Sequence, residues 1–234
     1  MNINPLYILP NLFTAGSIFL GIASVILASR GGFEWACWFV LLSMILDGLD
    51  GRVARLTNTA SKFGVEFDSL ADIVAFGVAP AMLLYFYIGL DYGRYGVVAS
   101  AIFVIFGAIR LARFNISTAN TEPNSFIGLP IPSAAVILVL WILLDLEYGI
   151  LKNTCLGFIL LALAFILSIL MVSNIRYPSF KKMQWNLKIF VVVVIVLCMA
   201  YLKPREVIGG LMSFYVLYGI ARWIFVLIKK IYFK

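Results

Sequence analysis

The stretch from Asp47 to Asp72, DGLDGRVARLTNTASKFGVEFDSLAD, constrains this chain more than any other. It carries two aspartate pairs, Asp47 with Asp50 and Asp68 with Asp72. The first pair is spaced i, i+3 and the second i, i+4, so on a helix each pair puts both carboxylates on one face. Apolar segments long enough to span a bilayer lie on both sides. A carboxylate at the centre of a membrane helix costs about 2.5–3.5 kcal/mol, so four unpaired ones would cost roughly 10–14. Four like charges would also repel and push protons onto one another. A divalent cation removes both penalties. Aspartate is a hard oxygen ligand suited to Mg²⁺, Mn²⁺ or Ca²⁺, and no His or Cys stands nearby to suggest zinc.

The rest of the chain agrees with a membrane setting. Of its 234 residues 63% are hydrophobic and 12% charged, against about 45–50% and 25% in soluble domains. An all-α, polytopic membrane bundle in one domain, residues 1–234, is expected. The net charge of +7 fits membrane topology, because no polar basic domain exists to hold a nucleic acid. Histidine is absent, which excludes a Ser-His-Asp triad, a Cys-His pair and a His-ligated metal. Cys37, Cys155 and Cys198 lie in apolar segments without metal spacing and read as small core residues. MNINPLYILP lacks the basic residues of a cleaved leader, and no lipidation motif is expected.

Eight apolar segments are expected, at about 12–29, 33–50, 66–89, 95–114, 132–147, 150–172, 187–202 and 207–228. With both termini on one side, that side carries thirteen of the 18 Lys and Arg residues. The positive-inside rule then predicts cytoplasmic termini and a cytoplasmic aspartate stretch, in the inner cell membrane.

Other polar residues gather near the same face. Asn11 and Thr14 are i, i+3 at the start of the first segment. They either cap a helix after Pro10 or face the carboxylates, and spacing alone leaves both open. Gly51 and Ala54 leave bare backbone where a flat or bulky group can approach, and Arg55 follows. Gly64 opens the third segment. Arg110 and Arg113, in IRLARFN, are either topology anchors or an anion site. The loop NSFIGLPIPSAA reads as stiff and shaped. Arg176, Lys181 and Lys182 form a basic loop suited to anionic lipid heads.

A carboxylate cluster that binds divalent ions beside arginine suits a lipid phosphate or diphosphate. Metals clamp phosphoryl oxygens and acidify an attacking hydroxyl, and a carboxylate at the cluster edge can take its proton.

The pattern D-x2-D-G-x2-A-R-x8-G-x3-D-x3-D from Asp47 to Asp72 has no departure from the signature of the CDP-alcohol phosphotransferase family, which it resembles. The resemblance covers about residues 8–172. It implies a six-helix membrane core, usually in a homodimer, with the last two helices, about 187–228, as an addition. It implies two divalent ions on Asp47, Asp50, Asp68 and Asp72, with Asp72 also the general base. Gly51 and Ala54 would admit the cytidine, with Gly64 in the same site. Asn11, Thr14, Arg55 and Ser61 would contact the phosphates and nucleotide of CDP-diacylglycerol. RLARFN at 110–115 and FIGLPIPSAA at 126–135 look like the branch that uses L-serine as acceptor, releasing CMP. Arg110 or Arg113 would then meet the serine carboxylate.

Three rival readings are weaker. A synthase using glycerol 3-phosphate or inositol phosphate would also want arginines, but the Gly128 loop favours serine. An intramembrane prenyltransferase lacks the Gly-x2-Ala-Arg insert. A cation transporter would carry acids near the midplane of several helices, whereas these cluster at one face of two.

Overall fold

The computed structural model describes residues 8–57, 59, 61–117, 125–152, 154, 156–178, 199 and 202–232. Apolar runs give α1 (Ile8–Ser29), α2 (Phe33–Leu56), α3 (Lys62–Asp72), α4 (Ala79–Tyr87), α5 (Arg94–Ser117), α6 (Ile131–Tyr148), α7 (Phe158–Val172) and α8 (Pro204–Tyr232). The expected segment 187–202 falls almost wholly outside the described residues, as do Cys155, Cys198, Lys181 and Lys182. Cys37 is buried in the core, as expected.

The chain is a helical membrane protein. Four helices are long and apolar enough to cross a membrane: Leu9–Ser29, Lys62–Tyr87, Arg94–Ile116 and Ile131–Tyr148. Phe158–Val172 is apolar but shorter. The described residues thus support a membrane bundle without supplying eight such spans.

Several boundaries move. The second helix runs on to Leu56 instead of ending near residue 50, so the first aspartate pair lies within it. The third begins at Lys62, because Ser61 caps it by accepting a hydrogen bond from Gly64 N at 3.0 Å. A side-chain cap fixes a helix start ahead of its apolar stripe. The sixth expected segment, 150–172, is helical only from Phe158, as α7. The residues before it turn around Asp145, which accepts from Leu151 N at 2.5 Å, Lys152 N at 3.1 Å and the Tyr87 hydroxyl at 2.8 Å.

Helices α3 and α4 are halves of one helix, joined by a π-helical segment, Ile73–Val78. Pro80 explains it. Its ring would strike the carbonyl four residues back in a regular helix. The wider turn, closed by Ala79 N donating to Val74 O, relieves that conflict.

Small residues set the packing of α1. Ser24 donates to Ala36 O on α2 at 2.8 Å. A Cβ on Gly21 would lie 2.9 Å from Ala75 Cα, so α1 meets the third helix backbone to backbone. Such contacts hold membrane helices together where lipid offers no hydrophobic drive. The buried centre is α6, from Ala134 to Leu143, with only Trp141 partly exposed.

One feature was not expected in an all-α chain. Ser125–Ile127 pairs antiparallel with Arg176–Pro178, Phe126 opposite Tyr177. The pairing continues into Gly128, whose N donates to Ile175 O at 2.9 Å, and Leu129, whose N donates to Leu170 O at 3.0 Å. Gly128 has φ +80°, and a Cβ there would lie 2.3 Å from Met171 O. The shaped loop read from the two prolines is therefore seated on the C-terminal end of α7.

The opposite end of the bundle is tied by Arg205 on α8, paired with Glu34 on α2 and with Glu147 on α6 at 3.2 Å.

Candidate active site

Helices α1, α2 and α3 bring the predicted residues to one end of the bundle. Carboxylate oxygens of Asp47, Asp50 and Asp68 lie within 4.8 Å of one another. Asp72 stands one turn further along the third helix. Asp47 faces both Asp68 and Asp72. Thr14 donates to Asp50 Oδ2 at 2.7 Å, and also to Pro10 O at 3.2 Å. Of the two choices left open by spacing, Thr14 takes the second: α1 already begins at Ile8, so Thr14 caps nothing, and its contact with Pro10 O is a back-bond inside the helix beside its bond to the carboxylate.

Beside the cluster is a cavity of about 180 Å³. Its wall includes Asn11, Thr14, Asp50, Gly51, Ala54, Arg55, Ser61, Gly64 and Asp68. Every residue expected at the nucleotide end of the substrate therefore lines one space. A Cβ on Gly51 would meet nothing within 4 Å, whereas one on Gly64 would lie 3.2 Å from Ser61 Oγ and 3.7 Å from Asn11 Oδ1. Gly51 thus opens the wall and Gly64 lets α1 and the start of α3 close on each other. The volume is below the roughly 300–1,000 Å³ usual for a whole ligand pocket. It suits one end of a molecule whose remainder lies outside.

Thr59 also lines the cavity, buried, its hydroxyl 2.7 Å from that of Thr57. Nothing in its spacing pointed to it, because it lies in the connection between α2 and α3.

The two arginines part company. Arg110 is buried, lies over the Phe114 ring at 5.1 Å and acts electrostatically on Asp72. Arg113 faces α7 instead. It donates to Val172 O at 2.9 Å and to Asn174 Oδ1 at 2.6 Å. Asn115, from the same motif, donates to Ser69 Oγ at 3.0 Å, next to Asp68. Sequence reasoning gave Asn115 and Ser69 no role, since their link spans distant segments.

The donor set fits a divalent metal. It consists of carboxylates alone, which suit hard cations. Asp68 Oδ1 and Asp72 Oδ1 are buried without a hydrogen-bond partner, a costly arrangement for carboxylates. A cation held by the cluster would relieve that cost.

A helical membrane scaffold, clustered carboxylates and a cavity lined by Arg55 are the parts that metal-assisted phosphoryl chemistry requires. Residues 7–170 match the CDP-alcohol phosphatidyltransferase family, and the chain belongs to that family. It is 60% identical over 238 residues to the CDP-diacylglycerol–serine O-phosphatidyltransferase of Helicobacter pylori strain J99, covering 100% of this chain and 98% of that protein. It is 40% identical to the protein of the same name from Methanocaldococcus jannaschii, covering 79% and 82%. It is 37% identical to the archaetidylserine synthase of Methanothermobacter thermautotrophicus, covering 73% and 69%.

Proposed function

We propose that this chain transfers the phosphatidyl group of CDP-diacylglycerol to the hydroxyl of L-serine, giving phosphatidylserine and CMP. The observation that carries this reading is the cavity that joins Asp50 and Asp68 to Asn11, Thr14, Gly51, Ala54, Arg55, Ser61 and Gly64. Its relatives support the choice of acceptor. Serine is common to their names, although the lipid differs between a phosphatidyl and an archaetidyl product.

Gly51 and Ala54 give the cytidine a flat approach, and Arg55 at the lip meets the diphosphate. Asn11, Thr14 and Ser61 supply polar contacts to the same end. Asp47, Asp50, Asp68 and Asp72 would hold two divalent ions, Mg²⁺ or Mn²⁺. Bound there, such ions neutralise phosphate charge and make the serine hydroxyl more acidic. The serine oxygen forms a bond to the phosphatidyl phosphorus. The bond from that phosphorus to the bridging oxygen breaks, and CMP leaves with the electron pair. Asp72 takes the hydroxyl proton. Arg110, whose charge acts on Asp72, is the better placed of the two arginines to meet the serine carboxylate, because Arg113 is engaged at the end of α7.

The site and both termini are placed at the cytoplasmic face of the inner membrane, in keeping with the distribution of Lys and Arg. One domain of eight spans is proposed, six forming the core and two added at the C-terminus, working as a homodimer.

The test is CMP release by purified protein with CDP-diacylglycerol and Mn²⁺ or Mg²⁺. Serine, glycerol 3-phosphate, inositol phosphate or no acceptor is supplied in turn. Release that needs serine and metal supports the proposal. Release with a phosphorylated acceptor keeps the family and overturns serine.

A further inference from the structure

Four buried side-chain oxygens among the described residues have no hydrogen-bond partner: Ser17 Oγ, Asp68 Oδ1, Asp72 Oδ1 and Ser100 Oγ. An unsatisfied buried polar atom costs roughly 1–3 kcal/mol. Helix register sets one of the two serines, Ser17, at the level of the two aspartates.

The register of α1 puts Ser17 there. Thr14 bonds Asp50 on α2. Helices α1 and α2 run antiparallel, so three residues further along α1 corresponds to three residues back along α2, from Asp50 to Asp47. Against the third helix α1 runs parallel: Asn11 approaches Gly64, and Gly21 meets Ala75. Ser17 lies four residues before Gly21, about 6 Å along the axis, and Asp72 lies three before Ala75, about 4.5 Å. Ser17 and Asp72 are therefore at nearly the same height. Positions 14, 17 and 21 also share one helix stripe, spaced three and four residues apart. Ser17 is 1% exposed, so its hydroxyl has no recourse to solvent.

We infer that Ser17 is a positioning residue whose hydroxyl donates to Asp72 Oδ1 when the carboxylate cluster holds its cation. Thr14 makes the equivalent bond to Asp50 one turn away. Helix α1 then carries two hydroxyls in succession, one for each carboxylate it faces. The inference rests on reading the four aspartates as a divalent metal site.

Mn²⁺ affinity of the full chain in detergent, followed by the electron paramagnetic resonance of free Mn²⁺, tests it together with thermal unfolding in chelator and in Mn²⁺. Ser17→Ala leaves the unfolding midpoint in chelator unchanged or higher, since no bond is lost. It weakens Mn²⁺ about ten- to a hundredfold, the worth of one hydrogen bond to a charged group, and lowers kcat while changing either substrate KM less. Ser17→Cys, which keeps the size but donates poorly, moves the same way. Ser100→Ala removes an equally unpaired hydroxyl on α5 and changes neither quantity. Mn²⁺ affinity and kcat within about twofold of the unmodified protein in both Ser17 variants would overturn the inference. So would equal losses in Ser100→Ala. If Mn²⁺ binds the unmodified chain and is lost in Asp68→Asn while the Ser17 variants bind normally, only the role of Ser17 fails. If Mn²⁺ does not bind the unmodified chain at all, the metal reading falls and this inference with it.

Discussion

Thr14 on α1 donates its hydroxyl to Asp50 on α2 across 2.7 Å, and both residues are buried. The first helix is thereby part of the carboxylate site as well as a packing partner. A hydrogen bond to a charged group contributes roughly 1.5–3 kcal/mol. Thr14→Val keeps the shape and removes the donor. It is expected to weaken Mn²⁺ binding or raise KM for CDP-diacylglycerol by about ten- to a hundredfold. Thr14→Ser retains most of the function, and KM for serine is unchanged in both. Titration of Mn²⁺ and initial rates of CMP release check this.

Asp72→Asn separates stability from catalysis. It removes one like charge from a crowded cluster, so the chelated protein unfolds at the same or a higher temperature. Loss of a general base lowers turnover by about 10²–10⁴-fold. Chelation of the unmodified protein abolishes CMP release and lowers its unfolding temperature, because a cation bound only by the folded state stabilises it. A variant that is both unstable in chelator and fully active in Mn²⁺ would contradict each half.

Arg110 and Arg113 are three residues apart but should fail differently. Arg110→Gln raises KM for serine, with the KM for CDP-diacylglycerol little altered. Arg113→Gln cuts a clamp on Val172 O and Asn174. It lowers the unfolding temperature first and leaves the serine KM near its normal value. Paired melting curves and serine titrations distinguish them.

Gly128→Ala is expected to be severe. The residue has φ +80°, and the added methyl would sit 2.3 Å from the Met171 carbonyl. Left-handed backbone costs an L-residue roughly 1–2 kcal/mol, and overpacking roughly 1–3 more. A large fall in unfolding temperature, or failure to accumulate folded protein, is the outcome to measure. Pro130→Ala, in the same loop, has a much smaller effect.

The carboxylate cluster was legible because it is local. Two carboxylate pairs at helical spacing and Gly51, Ala54 and Arg55 between them lie in one run of 26 residues. The helices that hold them were legible as apolar runs. What escaped depends on distant partners. Arg113 meets Val172 across 59 positions, so its sequence neighbourhood offered a topology anchor or an anion site and gave no sign of α7. Asn115 reaches Ser69 across 46. Helix α7 starts late because Asp145, on α6, gathers the preceding backbone N–H groups. Apolar patterning cannot report that. Thr59 carried no signal, because a residue in a connection between helices has no periodicity to betray its direction.

The π-helical segment Ile73–Val78 begins immediately after Asp72. One residue more per turn re-phases everything beyond it by about 100° relative to a regular helix. The half that carries Asp68 and Asp72 and the half that buries Leu83, Leu84 and Tyr87 therefore obey separate angular registers. Removing a single residue from this segment would swing the two faces out of step, and would set Pro80 against the carbonyl it now avoids. The length of this short segment is as much a determinant of the site as the identity of any residue in it, and an alignment gap of one here would count for more than a substitution.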